Sequence, residues 1–104
     1  MARIKAVFYL PLADNDGRDL SQEIEHVRTE LFVQFEGWTF LGYVKGAFRM
    51  AGGTQALDES AAYVVVLDED RLPELEALLR DFKYKTTQEA IYLEIHRDVT
   101  VRFI

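Results

Sequence analysis

The sequence predicts one α+β domain of the split β-α-β, or ferredoxin-like, type, with two helices and four strands in the order β-α-β-β-α-β. Three observations predict this fold. Two segments have apolar residues at helical spacing, four segments are rich in alternating or branched apolar residues, and turn-forming residues separate them. Because 104 residues is the length of one domain, we expect residues 1–104 to form a single unit.

The first predicted strand covers residues 3–12, where the side chains alternate in character. Such alternation is typical of a strand with one buried face. Residues 11–17 (PLADNDG) then predict a turn, because proline stops a strand ladder and Asx and glycine residues suit turn conformations. Ile4, Ala6, Phe8 and Leu10 are predicted on one face, and Arg3, Lys5, Val7 and Tyr9 on the other.

The first predicted helix begins near Asp19 or Ser21, either of which can cap a helix N-terminus. Its apolar residues recur at spacings of four, three, four and four, which places them in one stripe. Gly37 follows where a left-handed C-terminal cap is expected. The stripe consists of Leu20, Ile24, Val27, Leu31 and Phe35.

Two further strands are predicted in the middle of the chain. Residues 38–50 are aromatic and branched, and Gly42 and Gly46 within them predict a bulge or a close backbone approach. Residues 51–60 predict a loop. Residues 61–67 (AAYVVVL) are apolar on both sides, which is typical of a central strand.

The second predicted helix follows Asp68–Asp70 and has Pro73 in its first turn, where the missing N–H costs little. Residues 88–96 predict the fourth strand, and residues 99–104 either continue it or form a short fifth strand. The helix stripe consists of Leu72, Leu75, Leu78, Leu79 and Phe82. In the fourth strand Ile91, Leu93 and Ile95 alternate with Tyr92, Glu94 and His96.

Two right-handed crossovers interleave most simply as an antiparallel sheet of order 4-1-3-2 with both helices on one face. The other face is then uncovered, and we expect the loops 11–20, 51–60 and 83–88 to lie together at one end. The uncovered face is expected to carry Lys5, Val7, Tyr9, Tyr43, Tyr92, Glu94 and His96.

Composition excludes several classes of function. The net charge of −6 disfavours nucleic-acid binding, which depends on neutralising phosphates. The absence of cysteine excludes disulfides and thiolate metal sites and fits a cytoplasmic protein. No apolar stretch approaches the length of a membrane span. Residues 14–17 do not complete a calcium loop, so we expect neither a metal nor a cofactor.

The uncovered face suggests two functions. An exposed patch of mixed aromatic and aliphatic residues usually marks an interface, so the first is a binding or regulatory module that forms a homodimer through this face. The alternative is a small-molecule enzyme in which Glu94 and His96 act as acid and base, with Tyr9, Tyr43 and Tyr92 lining its ligand cleft. An ordinary ion pair between Glu94 and Lys5 is also consistent with the pattern.

Several short motifs resemble a group of small uncharacterised bacterial proteins. The motifs are residues 35–39 (FEGWT), residues 46–48 (GAF), Asp58–Glu59 and residues 88–94 (QEAIYLE). The group has F-G-G-x-T, G-x-W and Q-E-x-I-x-x-E at these places, so that Glu36 replaces a glycine and Phe48 a tryptophan. The resemblance implies the ferredoxin-like fold and carries no activity.

Overall fold

The computed structural model describes residues 2–104 and has the predicted α+β fold. The sheet order is β2-β3-β1-β4 with antiparallel neighbours, which is the predicted order 4-1-3-2. A short 3-10 turn, Glu69–Arg71, leads from the third strand into the second helix. The elements are β1 (Arg3–Pro11), α1 (Ser21–Phe35), β2 (Thr39–Arg49), β3 (Gln55–Asp68), α2 (Leu72–Lys85) and β4 (Leu93–His96).

The core lies between one face of the sheet and the two helices. The alternation predicted for β1 is confirmed: its core-facing residues are almost completely buried and pair directly with the core-facing residues of β3. The stripe of α1 is buried along its whole length, and that of α2 is buried except for the half-buried Leu72. The paired strand residues are Ile4 with Leu67, Ala6 with Val65, Phe8 with Tyr63 and Leu10 with Ala61.

The ends of α1 differ slightly from the prediction. Asp19 precedes the helix, and its Oδ1 accepts the backbone N–H of Ser21 at 2.9 Å, while Leu20 occupies the cap position itself. At the C-terminus Glu36, with φ 69°, adopts the left-handed conformation that was expected of Gly37. The cap is therefore one residue earlier than the glycine indicated.

The strands differ more from the prediction at their ends. β3 begins at Gln55, so most of the predicted loop 51–60 belongs to a long β2–β3 hairpin whose tight turn is closed by Met50 N–H donating to Thr54 O. β4 is shorter than predicted because only Leu93–His96 form a ladder with β1. Residues 99–104 form no strand within the described part of the chain.

The predicted bulge is confirmed at Gly42, and it moves Tyr43 to the other face of the sheet. The register of β2 on β3 shifts between Phe40 and Gly42, so that Leu41 is an extra residue. Because side chains alternate along a strand, one extra residue reverses the orientation of those that follow. Tyr43 therefore pairs with Ala61 on the helix side, and its expected place on the uncovered face is wrong.

The hairpin gives the molecule an elongated outline of 44 × 26 × 23 Å. Its outer half carries side chains such as Tyr43 and Leu57, which are 68% and 78% exposed. In residues 2–104, neither helix combines the length and the apolar character needed to cross a membrane.

Candidate functional site

The sheet face that points away from the helices is called the open face here. As predicted, it carries Lys5, Val7 and Tyr9 of β1, and Glu94 and His96 of β4. The register places Lys5 opposite His96 and Val7 opposite Glu94. Ser60, Ala62, Val64 and Val66 of β3 lie on the same face.

A row of polar side chains runs along β4 and the residue before it. Glu94 is at its centre: its Oε1 accepts the Tyr92 hydroxyl at 3.1 Å, and its Oε2 lies 2.5 Å from His96 Nε2. The hydrogen bond to this carboxylate raises the pKa of Tyr92. The alternative ion pair between Glu94 and Lys5 does not form among residues 2–104.

Tyr92 also stacks on Tyr9, the nearest aromatic residue of β1. The ring centroids are 4.5 Å apart, the planes are 11° from parallel, and Tyr9 N–H donates to Tyr92 O at 3.2 Å. Backbone pairing therefore begins one residue before β4, and the two rings form a stacked aromatic pair.

This aromatic pair forms one wall of a cleft of about 340 Å³, called here the loop-end cleft. Asn15, the tip of the β2–β3 hairpin and Gln88 all line it, as expected from the convergence of the three loops at one end. β3 contributes Ala56, Asp58 and Ser60 to the lining, and the segment before β4 contributes Gln88–Tyr92. The lining residues are Tyr9, Pro11, Asn15, Phe48–Met50, Ala56, Asp58, Ser60 and Gln88–Tyr92.

The loop-end cleft combines apolar walls with a few polar groups. Asp58 and Glu89 supply carboxylates, Arg49 a guanidinium and Gln88 an amide. Ser60 is buried, with 7% of its surface exposed, although it is polar. A cleft with this mixture can hold an amphipathic molecule, since apolar walls supply affinity and a few polar groups fix orientation.

Only part of the predicted site faces this cleft. Tyr9 and Tyr92 line it, whereas Lys5, Glu94 and His96 lie farther along the open face and do not. The residues that the sequence interpretation missed are Asp58, Ser60, Gln88 and Glu89. No local pattern marked them, because Gln88 and Glu89 stand in the predicted fourth strand and Asp58 and Ser60 in the predicted loop 51–60.

A second, more open cleft of about 800 Å³ lies at the opposite end of the sheet. Near the C-terminus, Phe103 lines this cleft together with Val64 and Val66. The guanidinium carbon of Arg3 lies over the Phe103 ring, 5.8 Å from the ring centroid. The C-terminal residues therefore lie beside the open face. No group of three or more His, Asp or Glu within residues 2–104 is placed to hold a metal ion.

The sequence matches no protein-family model and no curated protein. The fold is similar to that of a phage SAM lyase in complex with S-methyl-5′-thioadenosine, with a TM-score of 0.72 and 14% identity over 92% of this chain and 81% of that chain. The divalent ion tolerance protein CutA1 from Ehrlichia chaffeensis gives a TM-score of 0.62 at 5% identity, over 98% of this chain and 87% of that one.

CutA from Synechococcus elongatus is similar as well, with a TM-score of 0.59 and 8% identity over 95% of this chain and 80% of that one. At identities of 5–14% these similarities establish a shared fold. The chain is thus an α+β protein of the ferredoxin-like fold, similar in architecture to the SAM lyase and to the CutA proteins.

Proposed function

We propose that this chain is a small-molecule-binding protein, and that its ligand is an adenosine with a methylthio or sulfonium side chain, held in the loop-end cleft. The observation that carries the proposal is the cleft itself. Its volume of about 340 Å³ falls within the range of roughly 300–1,000 Å³ that is common for ligand pockets.

The chemistry of the lining favours this ligand class. The stacked rings of Tyr9 and Tyr92 offer an aromatic surface to a purine base. Asp58 and Glu89 offer carboxylates to sugar hydroxyls, and a sulfonium cation is attracted both to carboxylates and to aromatic faces. A protein of similar fold binds S-methyl-5′-thioadenosine, which supports the same assignment.

Calorimetric titration of the full chain with S-methyl-5′-thioadenosine tests this proposal. We expect saturable binding that Tyr92→Ala weakens at least about tenfold, because base–aromatic stacking contributes roughly 1–3 kcal/mol. Tyr84→Ala is the matched control, since Tyr84 is 68% exposed on α2 and does not line the cleft. The absence of binding, or an equal loss in both variants, would contradict the proposal.

We infer that the chain also forms a homodimer through the open face. Val64 and Val66 are only half-buried there, and no helix packs on this side of the sheet. A second copy would cover these residues and close the cleft, and a two-fold contact is the commonest way to do so.

Light scattering at tens of micromolar tests the dimer. We expect twice the monomer mass for the wild-type chain and for Phe32→Asp, and the monomer mass for Val64→Asp. Phe32 is 65% exposed on α1 and lines neither cleft, so it controls for the introduced charge. A wild-type chain that remains monomeric would exclude the dimer.

The close contact between Glu94 and His96 favours a second candidate function, in which this pair transfers a proton to or from a ligand on the open face. The loss of SAM over time, followed by chromatography, is the measurement. His96→Ala is expected to stop turnover and His26→Ala, on the exposed side of α1, to leave it unchanged. Equal turnover in all three chains would exclude a role for His96.

A further inference from the structure

Ser60 stands out among the residues of the loop-end cleft because the residue is largely buried while its hydroxyl makes no hydrogen bond to the protein. It lines the cleft from β3, between Pro11 of β1 and Val44 of β2, with 7% of its surface exposed. Its hydroxyl makes no hydrogen bond to any other residue within 2–104. The hydroxyl oxygen is not sealed inside the protein, and Ser60 is one of the residues that line the cleft.

The other buried polar residue in the described chain behaves differently. Thr86 is 1% exposed, and its Oγ1 donates to Phe82 O at 2.7 Å, at the end of α2. That is the usual arrangement, because buried hydroxyl groups in folded proteins are nearly always hydrogen-bonded. Ser60 therefore has a hydrogen-bonding capacity that the fold does not use.

We propose that Ser60 Oγ contacts a ribose hydroxyl of the ligand and makes the loop-end cleft selective for ribonucleosides. This inference rests on the proposed function, since it assigns one contact within that site. A serine hydroxyl both donates and accepts, which suits a sugar hydroxyl. Asp58, two residues earlier on the same face of β3, supplies an acceptor for the neighbouring hydroxyl of the sugar.

A site built around a ligand hydroxyl discriminates strongly against an analogue that lacks it, because the protein group is then left unpaired. We therefore compare S-methyl-5′-thioadenosine with its 2′,3′-dideoxy analogue by calorimetric titration. The wild-type chain should prefer the ribonucleoside by about tenfold or more, and Ser60→Ala should lose the part of that preference that does not come from Asp58. Ser60→Ala should bind the dideoxy analogue as tightly as the wild-type chain does.

The melting temperature of the ligand-free protein provides a second readout. If the Ser60 hydroxyl binds only the ligand, Ser60→Ala should melt at the same temperature as the wild-type chain or higher, because the substitution removes no hydrogen bond within the protein. Thr86→Val is the matched control and should melt several degrees lower, since it removes an internal hydrogen bond. A clear fall for Ser60→Ala would assign the hydroxyl to structure, for instance to a fixed water, and overturn the inference.

The two proposals fail in different ways. A wild-type chain that binds neither nucleoside overturns the proposed function and the role of Ser60 with it. A wild-type chain that binds both equally leaves the proposed function standing and overturns only the role of Ser60. The same holds if Ser60→Ala retains the full preference for the ribonucleoside.

Discussion

At the scale of single residues, Asp14 organises the turn between β1 and α1. Its Oδ1 accepts the backbone N–H groups of Asp16 at 2.9 Å and Arg18 at 2.8 Å, and its Oδ2 lies 3.2 Å from Arg18 Nε. The backbone hydrogen bond from Arg18 is the main cause that lowers the pKa of Asp14 below its usual 3.8. The residues that suggested part of a calcium loop thus use the carboxylate to close the turn itself.

A lowered pKa in the folded state makes stability depend on pH. The contribution of Asp14 is present above its unfolded pKa and is lost as the pH falls through the lower folded pKa. We expect Asp14→Asn, which keeps the turn but cannot ionise, to reduce the loss of unfolding free energy between about pH 7 and about pH 3. Urea denaturation at both values measures this difference.

Asp70→Asn is the control, because the Asp70 carboxylate accepts no hydrogen bond within residues 2–104. If Asp70→Asn changed the pH dependence of stability as much as Asp14→Asn does, the effect would come from the net charge of the protein and not from the hydrogen bonds of the turn. We therefore expect a larger change in the pH dependence of stability for Asp14→Asn than for Asp70→Asn.

At the scale of elements, α1 ends with a glutamate, Glu36, in the left-handed backbone conformation that glycine favours. Glu36 adopts φ 69°, which costs a side-chain-bearing residue more than it costs glycine. We expect Glu36→Gly to raise the free energy of unfolding by about 0.5–1 kcal/mol.

The same substitution inside the helix should have the opposite effect. Glu30→Gly lies in the interior of α1 and should lower the free energy of unfolding by about 1 kcal/mol. Chemical denaturation of the two variants and the wild-type chain measures both changes. If Glu36→Gly is also destabilising, the left-handed residue does not limit the stability of this helix end.

The element order and the core could be predicted from the sequence because the local spacing of apolar residues indicates which side chains are buried. The stripe from Leu20 to Phe35 and the alternation from Arg3 to Pro11 required no knowledge of distant residues. The start of β3 was not accessible in this way. Residues 55–60 (QALDES) are mostly polar, because one face of the projecting hairpin is exposed and the other is half-buried except at Ser60, so they lack the apolar signal of a strand.

The residues of the candidate site could be predicted from the sequence only where they lie on a regular strand. Tyr9 follows directly from the alternation of β1. Tyr43 was misplaced because the sequence indicates a bulge near Gly42 without fixing which residue is added. The loop-end cleft joins four segments that are distant in sequence, and no local pattern reports such a meeting.

At the scale of the whole molecule, the β2–β3 hairpin extends away from the helices. Its inner half packs on the core, where Ala61–Val65 are largely buried, while its outer half from Tyr43 to Leu57 is not covered. Local opening costs less free energy where few apolar contacts must be broken. The hairpin tip should therefore open more readily than the centre of the sheet.

Hydrogen exchange followed by mass spectrometry measures this difference. In the isolated chain we expect amides near Lys45–Phe48 to exchange much faster than those of Val64–Leu67, which lie where β3 pairs with β1. Equal protection of the two segments would mean that another chain covers the outer hairpin.

Trp38 is the only tryptophan, and it precedes β2 at the end of the sheet opposite the loop-end cleft. Its ring meets Tyr63 edge to face at 5.6 Å, and the Arg28 guanidinium carbon lies 5.3 Å from its centroid. The fluorescence of Trp38 therefore reports the folding of the core, because its ring is far from the cleft. The rings of Tyr9 and Tyr92 line the cleft, so their absorbance responds to a bound ligand. Folding and ligand occupancy thus have separate intrinsic optical signals in the unlabelled protein.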